Sequence, residues 1–146
     1  MSGGPESANP EVGGIAYDDF VAVHRVCSNA SSDAIVALDR AGRITFLNLA
    51  ASRLLGAEVE DLLGVRFTEL LPLESRAAFG RTCAGILEQK SEQPVPVGAL
   101  DIRPADRPPL AVDATVVRVG IAGRQWLEVY LRDHSDLKER ERRLTE

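Results

Sequence analysis

The order of elements along this chain predicts an α+β domain, with an antiparallel sheet and short helices on one face. Three observations carry that prediction. Two short apolar strands flank the turn Asp39-Arg40-Ala41-Gly42. A run of short helices follows, two of them ended by glycine. Three further β-rich stretches complete the order, separated by Pro- and Gly-containing turns.

Residues 1–16 are rich in Gly, Pro, Ser and Asn, the composition of a disordered leader. Residues 17–30 read as an N-terminal flanking helix. Asp18 and Asp19 stand in its first turn, where they favour the helix dipole. Phe20, Val23, Val26 and Cys27 recur at helical spacing on one face, which must pack on something.

Residues 31–133 read as the folded domain. Residues 34–38 form an apolar strand, and residues 43–49 alternate. That alternation places Ile44, Phe46 and Asn48 on one face, with Arg43, Thr45 and Leu47 on the other. Short helices at 50–55 and 58–63 end at Gly56 and Gly64. Phe67, Leu70 and Leu71 make one apolar turn before Pro72. A longer helix spans 73–89, with Phe79, Cys83, Ile86 and Leu87 on one face. Pro94 and Pro96 open an extended stretch to Arg103, as expected of an edge strand. A loop at 104–109, a strand at 110–119, a turn at 120–123 and a strand at 124–132 complete the domain. Residues 134–146 read as a highly charged helix that Asp133 or Ser135 can cap. Leu137 and Leu144 lie one heptad apart in it, as in a coiled-coil seam.

Composition bounds the function. The 146 residues are 45% hydrophobic and 27% charged, enough for one core without disulfides or metals. The net charge of −5 and the scattered basic residues argue against nucleic-acid binding. Lysine occurs only at Lys90 and Lys138, against many Arg, Ala and Gly, a bias of GC-rich bacterial genomes. Cys27 and Cys83 do not make a disulfide framework and fit a reducing compartment. No apolar run approaches the roughly 18 residues of a membrane span. The first residues lack the pattern of a signal peptide, so a cytoplasmic location is expected. No Walker loop, Gly-x-Gly-x-x-Gly, His-Glu-x-x-His, Gly-x-Ser-x-Gly or Cys-x-x-Cys is present, so an enzyme is not expected. His24 and Cys27 are three residues apart, and two ligands without two more do not make a metal site.

The segment from Asp33 to Gly56 closely resembles the opening of PAS domains. It has an apolar strand, the Asp39-Arg40-Ala41-Gly42 turn, the strand Ile44-Thr45-Phe46-Leu47-Asn48, then a small helix ending in Gly. Glu60-Asp61-Leu62-Leu63-Gly64 resembles the next family segment. Arg132-Asp133-His134-Ser135 stands where the family commonly has Arg-Asp-Ile-Thr before a charged helix. The resemblance covers about Asp33 to Leu144. It implies a PAS-like five-stranded antiparallel sheet, with short helices enclosing a pocket against one face. It also implies an N-terminal flanking helix and a C-terminal signalling helix. By this resemblance the chain is a bacterial sensory domain that binds a small molecule or cofactor, forms a homodimer, or both. It would relay a signal through its C-terminal helix to an output module such as a histidine kinase or diguanylate cyclase. The alternative is a ligand-free interaction and dimerisation module, its core filled by side chains.

The resemblance also nominates residues. Ile44, Phe46, Asn48, Phe67, Phe79, Cys83 and Ile86 are the candidates to line a pocket. Asn48 is read first as structural, its amide holding the strand-to-helix turn through backbone hydrogen bonds. Arg132, Asp133 and His134 are candidates for coupling the last strand to the output helix, and His134 could change charge near neutral pH. Phe20, Val23, Cys27, Leu137 and Leu144 are candidates for the dimer interface. The cofactor is left unknown, with none an open possibility. The reactive Cys of light-oxygen-voltage members would fall at Phe67, which argues against flavin–thiol photochemistry. The helix 73–89 carries no His, which argues against His-ligated haem. Trp126 lies in the last strand on a face the sequence does not fix.

Overall fold

The computed structural model describes residues 33–89, 92–121 and 123–133, and the backbone of 11–12 and 15–16. The expected flanking helix 17–30, with Phe20, Val23, His24 and Cys27, lies outside the described residues. So do His134, Leu137, Leu144 and the rest of the segment 134–146. Within residues 1–16, Glu11–Val12 pairs antiparallel with Ile15–Ala16.

The domain's elements follow the expected order. Strand β1 is Ala34–Leu38 and β2 is Ile44–Leu47; helix α1 is Leu49–Leu55 and α2 is Val59–Leu62. A 3-10 turn at Phe67–Leu70 precedes the long helix α3, Leu73–Glu88. Strands β3 (Val95–Ile102), β4 (Leu110–Ile121) and β5 (Arg124–Asp133) complete the sheet. Its order is β2-β1-β5-β4-β3, with every neighbour antiparallel. The last strand therefore sits at the centre, between β1 and β4.

Strand β3 is an edge, as its prolines require, because Pro96 has no N–H to give to a ladder. A bulge between Pro96 and Gly98 bends it, and Gly98 takes the positive φ of 91° there. Strand β4 runs two residues further into its hairpin than expected, while β5 starts at Arg124 as expected. Pairing continues to Ile121 opposite Arg124, so Gly120 belongs to the strand and not to the turn.

The core lies between one face of the sheet and the helices. Val36, Leu38, Val112, Val116, Leu127, Val129 and Leu131 supply the sheet side, each 1% exposed or less. Leu55, Leu62, Phe67, Leu71, Phe79 and Ile86 close it from the helical side. Burying such aliphatic side chains supplies the main driving force, roughly 1.5–3 kcal/mol each.

The loop between β3 and β4 folds back over the end of α1. Arg107 donates to the carbonyls of Arg53 at 3.0 Å and Leu54 at 2.6 Å, and the Ala105 N–H donates to the Leu55 carbonyl at 3.0 Å. These carbonyls belong to the last turn of the helix, where the Arg53 carbonyl also accepts from the Gly56 N–H at 3.3 Å. Gly56, at φ 65°, ends α1 at this approach, and a Cβ there would collide with the Asp106 carboxylate.

Candidate functional site

Two of the regions nominated from the sequence prove to be physically distinct. The first is the junction of β2 with α1. Asn48 is fully buried and caps α1. Its Oδ1 accepts from the Ala51 N–H at 2.9 Å and the Ile35 N–H at 3.0 Å. Its Nδ2 donates to the Asp33 carbonyl at 2.9 Å. One amide thus ties together the start of β1, the end of β2 and the first turn of α1. Such a satisfied buried amide holds backbone in place and leaves little for a ligand.

The second region is a cleft of about 300 Å³ between α3, the 3-10 turn and the β1–β2 turn. Phe67, Phe79 and Cys83 line it, three of the seven residues nominated as pocket candidates. The Phe67 and Phe79 ring centres are 5.3 Å apart and tilted by 39°, so the rings brace each other as one wall. Leu38, Leu127, Leu87, Ala84 and Gly80 extend the apolar surface, and Arg40, Arg66, Arg76 and Asp39 stand at its polar part. Burial pushes the Cys83 thiol up to about 11, so it stays a neutral thiol at physiological pH.

The other nominated residues are placed elsewhere. Ile44 and Ile86 are core residues that do not line the cleft. Phe46 is a correction: it does not share a face with Ile44. The register shifts between Ala37 and Leu38, so that Phe46 pairs with Ala37 and Ile44 with Leu38. Thr45 is the extra residue, and its hydroxyl donates to the Ala37 carbonyl at 3.3 Å. This bulge breaks the strict alternation expected of the strand. Ile44 and Leu47 turn inward, 1% and 3% exposed, and Phe46 goes to the outer face of the sheet.

The Asp39 turn closes one wall of the cleft. The Asp39 Oδ1 accepts from the N–H groups of Ala41 and Arg43, both at 2.9 Å. An aspartate at this position mimics a backbone turn and stiffens it. Arg76 is held from below, its Nε donating to the Leu71 carbonyl at 3.1 Å.

At the other end of the sheet, the exit of β5 meets the entrance of β1. Arg132 pairs with Asp33, Nη2 to Oδ2 at 3.1 Å, and both are partly exposed. Arg132 thus pairs with Asp33 at the start of β1, and Asp133 ends β5 opposite Val112.

The outer face of β5 carries a polar group that sequence reasoning did not assemble. Trp126 Nε1 donates to Glu128 at 3.1 Å and the Tyr130 hydroxyl donates to Glu128 at 2.9 Å. Glu128 is 4% exposed. Burial first, then the adjoining Glu128 and Asp33 charges and the Glu128 hydrogen bond, pushes the Tyr130 hydroxyl up to about 12. Strict alternation was the available signal: Leu127, Val129 and Leu131 face the core, which turns Trp126, Glu128 and Tyr130 outward.

Among the described residues, no three His, Cys, Asp or Glu side chains are grouped so that they could hold a metal ion. No helix among them is long and apolar enough to cross a membrane.

The sequence model of the PAS fold matches residues 28–139. A comparison with curated proteins gives no match. Among solved structures, the chain is similar to the PAS domain of an HTR-like protein from Haloarcula marismortui. The identity is 17% and the TM-score 0.66, covering 80% of this chain and 93% of that one. It is similar to the PAS domain of nitrogen regulation protein NR(II) from Vibrio parahaemolyticus at 19% identity and TM-score 0.58, covering 76% of this chain and 97% of that one. It is also similar to a Rhodobacter sphaeroides LOV protein at 16% identity and TM-score 0.67, covering 80% of this chain and 68% of that one. Identities this low carry the fold alone.

Proposed function

The chain belongs to the PAS fold family, and from that premise we propose that it is a sensory module that binds a small molecule in the cleft beside α3. The observation that carries this reading is the position of Leu127. It lines the cleft, and it belongs to the central strand β5, whose far end leads to Arg132 and Asp133. A ligand that shifts α3 against Leu127 therefore acts on the strand that leaves the domain. The signal passes through Arg132, Asp133 and His134 into the segment 134–146, and on to an output module such as a histidine kinase or diguanylate cyclase. In this reading the domain works as a cytoplasmic homodimer. Phe20, Val23 and Cys27 on the flanking helix and Leu137 and Leu144 on the output helix make its contacts. The domain itself catalyses nothing.

A second reading has its own support. Phe67, Leu71 and Phe79 fill the space under the helices, at 1%, 0% and 4% exposure. A core so filled suits a ligand-free dimerisation module. The absorbance spectrum of freshly purified protein, followed by mass spectrometry of what denaturation releases, separates the two. A flavin or haem band, or a stoichiometric small molecule, supports the sensor. A colourless protein that releases nothing and binds nothing added supports the interaction module.

A further inference from the structure

The cleft has a charge that the rest of the chain does not share. Three arginines and one aspartate line it, Arg40, Arg66 and Arg76 against Asp39. That is 3 − 1, or +2, in a chain of net charge −5. The acid is occupied, since Asp39 Oδ1 accepts two backbone N–H groups of its own turn. Arg40 is engaged too, Nη1 donating to Gln125 at 3.1 Å. Arg76 is anchored by the carbonyls of Leu71 and Glu69 through Nε and Nη2, which leaves its Nη1 over. The Arg66 guanidinium has no hydrogen bond or ion pair among the described residues. The donors left over, on Arg66 and on the Arg76 Nη1, suit one carboxylate group.

Beneath those donors the lining is apolar: Gly80, Ala84, Leu87 and the neutral Cys83 thiol, laid over the buried Phe67, Phe79, Leu38 and Leu127. The cleft volume of about 300 Å³ admits a small body. At the ~30 Å³ that one water occupies in the liquid, that is about ten non-hydrogen atoms.

Resting on the reading of this cleft as a ligand site, we propose that its ligand class is a small amphipathic monocarboxylate. The carboxylate is held at the rim by Arg66 and the spare nitrogen of Arg76, and the apolar tail lies along Gly80, Cys83, Ala84 and Leu87, over the buried rings of Phe67 and Phe79. A guanidinium meets a carboxylate through paired N–H donors, which gives direction as well as attraction. The apolar floor excludes ions without a hydrophobic part, because nothing there would replace their water.

The test compares octanoate with octanamide, which share size and tail and differ in charge. The labelled chain is titrated with each and followed through its backbone amide NMR shifts. Octanoate is expected to bind about tenfold more tightly than octanamide, the scale of a charged hydrogen bond. The shifts should centre on Phe67, Gly80 and Ala84. Arg66→Gln, at an exposed position with nothing to lose in the fold, should bring the two affinities together. Salt at about 0.5 M should do much the same by screening. Equal affinity of the two probes for the unaltered chain overturns the carboxylate preference and leaves the ligand site standing. Shifts centred away from the cleft overturn it as well. Binding of neither probe at millimolar concentration overturns both the preference and the ligand reading. Gly80→Leu fills the cleft without touching an arginine. It should abolish binding of both probes, and persistence of octanoate binding in it would move the site elsewhere.

Discussion

The Asn48 junction and the cleft beside α3 are both internal and both were nominated as pocket, yet they are built in opposite ways. At the junction a buried polar side chain meets backbone on three sides, with hydrogen bonds of 2.9 to 3.0 Å. In the cleft, apolar side chains and a half-buried thiol face an open volume of about 300 Å³ under unspent arginine nitrogens. At the junction the buried amide is engaged with backbone, whereas in the cleft arginine nitrogens stand beside an open volume. A buried amide in a sensor fold is thus better read as a fastening than as a ligand contact, until its partners have been counted.

Substitutions can break or sharpen that contrast. The largest effect is expected at the junction. Asn48→Ala removes three hydrogen bonds from buried groups and should lower stability by about 3 kcal/mol in chemical denaturation. The affinity of the cleft for any probe should stay unchanged in whatever fraction remains folded. An unchanged unfolding midpoint together with lost binding would reverse the roles assigned to the two regions.

Next comes the thiol. The Cys83 pKa is raised from 9.0 to about 11. At pH 8 its alkylation, followed by mass spectrometry of its peptide, should run about 100-fold slower than for a free thiol. The same shift fixes a sign for stability. Between pH 9.0 and about 11 the unfolded chain ionises this thiol and the folded chain does not. Stability should therefore fall as pH rises through that window. Cys83→Ala should flatten the slope. Fast alkylation at pH 8 would mean that the cleft floor is wetter than its apolar lining implies.

A smaller effect is expected where the β3–β4 loop meets α1. Gly56→Ala forces a side chain into positive φ against Asp106, and should cost about 1–2 kcal/mol. Thermal unfolding would show it. The smallest effect has the opposite sign. Gly80 lies in α3 on the cleft, and a Cβ there would meet nothing within 4 Å. Gly80→Ala should raise stability by about 0.5–1 kcal/mol through helix propensity alone. It should also narrow the cleft and weaken probe binding. Gain of stability with loss of binding is the signature of a space kept open. The opposite pattern would place Gly80 in the packing.

Much of the frame was legible because local chemistry dictates it. Gly56 ends α1 and Pro96 marks an edge strand for reasons that hold within a few residues. Asn48 was read as a fastening from its place between strand and helix. Phe67, Phe79 and Cys83 are nominated together through the family resemblance, and all three line one cleft. The face of Phe46 was misread, because a bulge is a property of the pairing of two strands and leaves no mark on the alternation of one. The length of the β4–β5 hairpin was misread for a similar reason. Gly120 looks like a turn residue until its partner Gln125 is known.

Sequence by itself determined the α+β order, the aliphatic core, the asparagine that starts α1 and the glycine that ends it, since periodicity, propensity and capping act over one or two turns of chain. Only the tertiary structure decided which residues share a space. Arg66 and Arg76 come to the cleft from around the 3-10 turn, Leu127 comes from a strand some 50 residues later, and Arg107 reaches back to Arg53 across 54 positions. No local preference links such residues. They meet because the sheet places its last strand at the centre and the helices must close over it to take their apolar faces out of water.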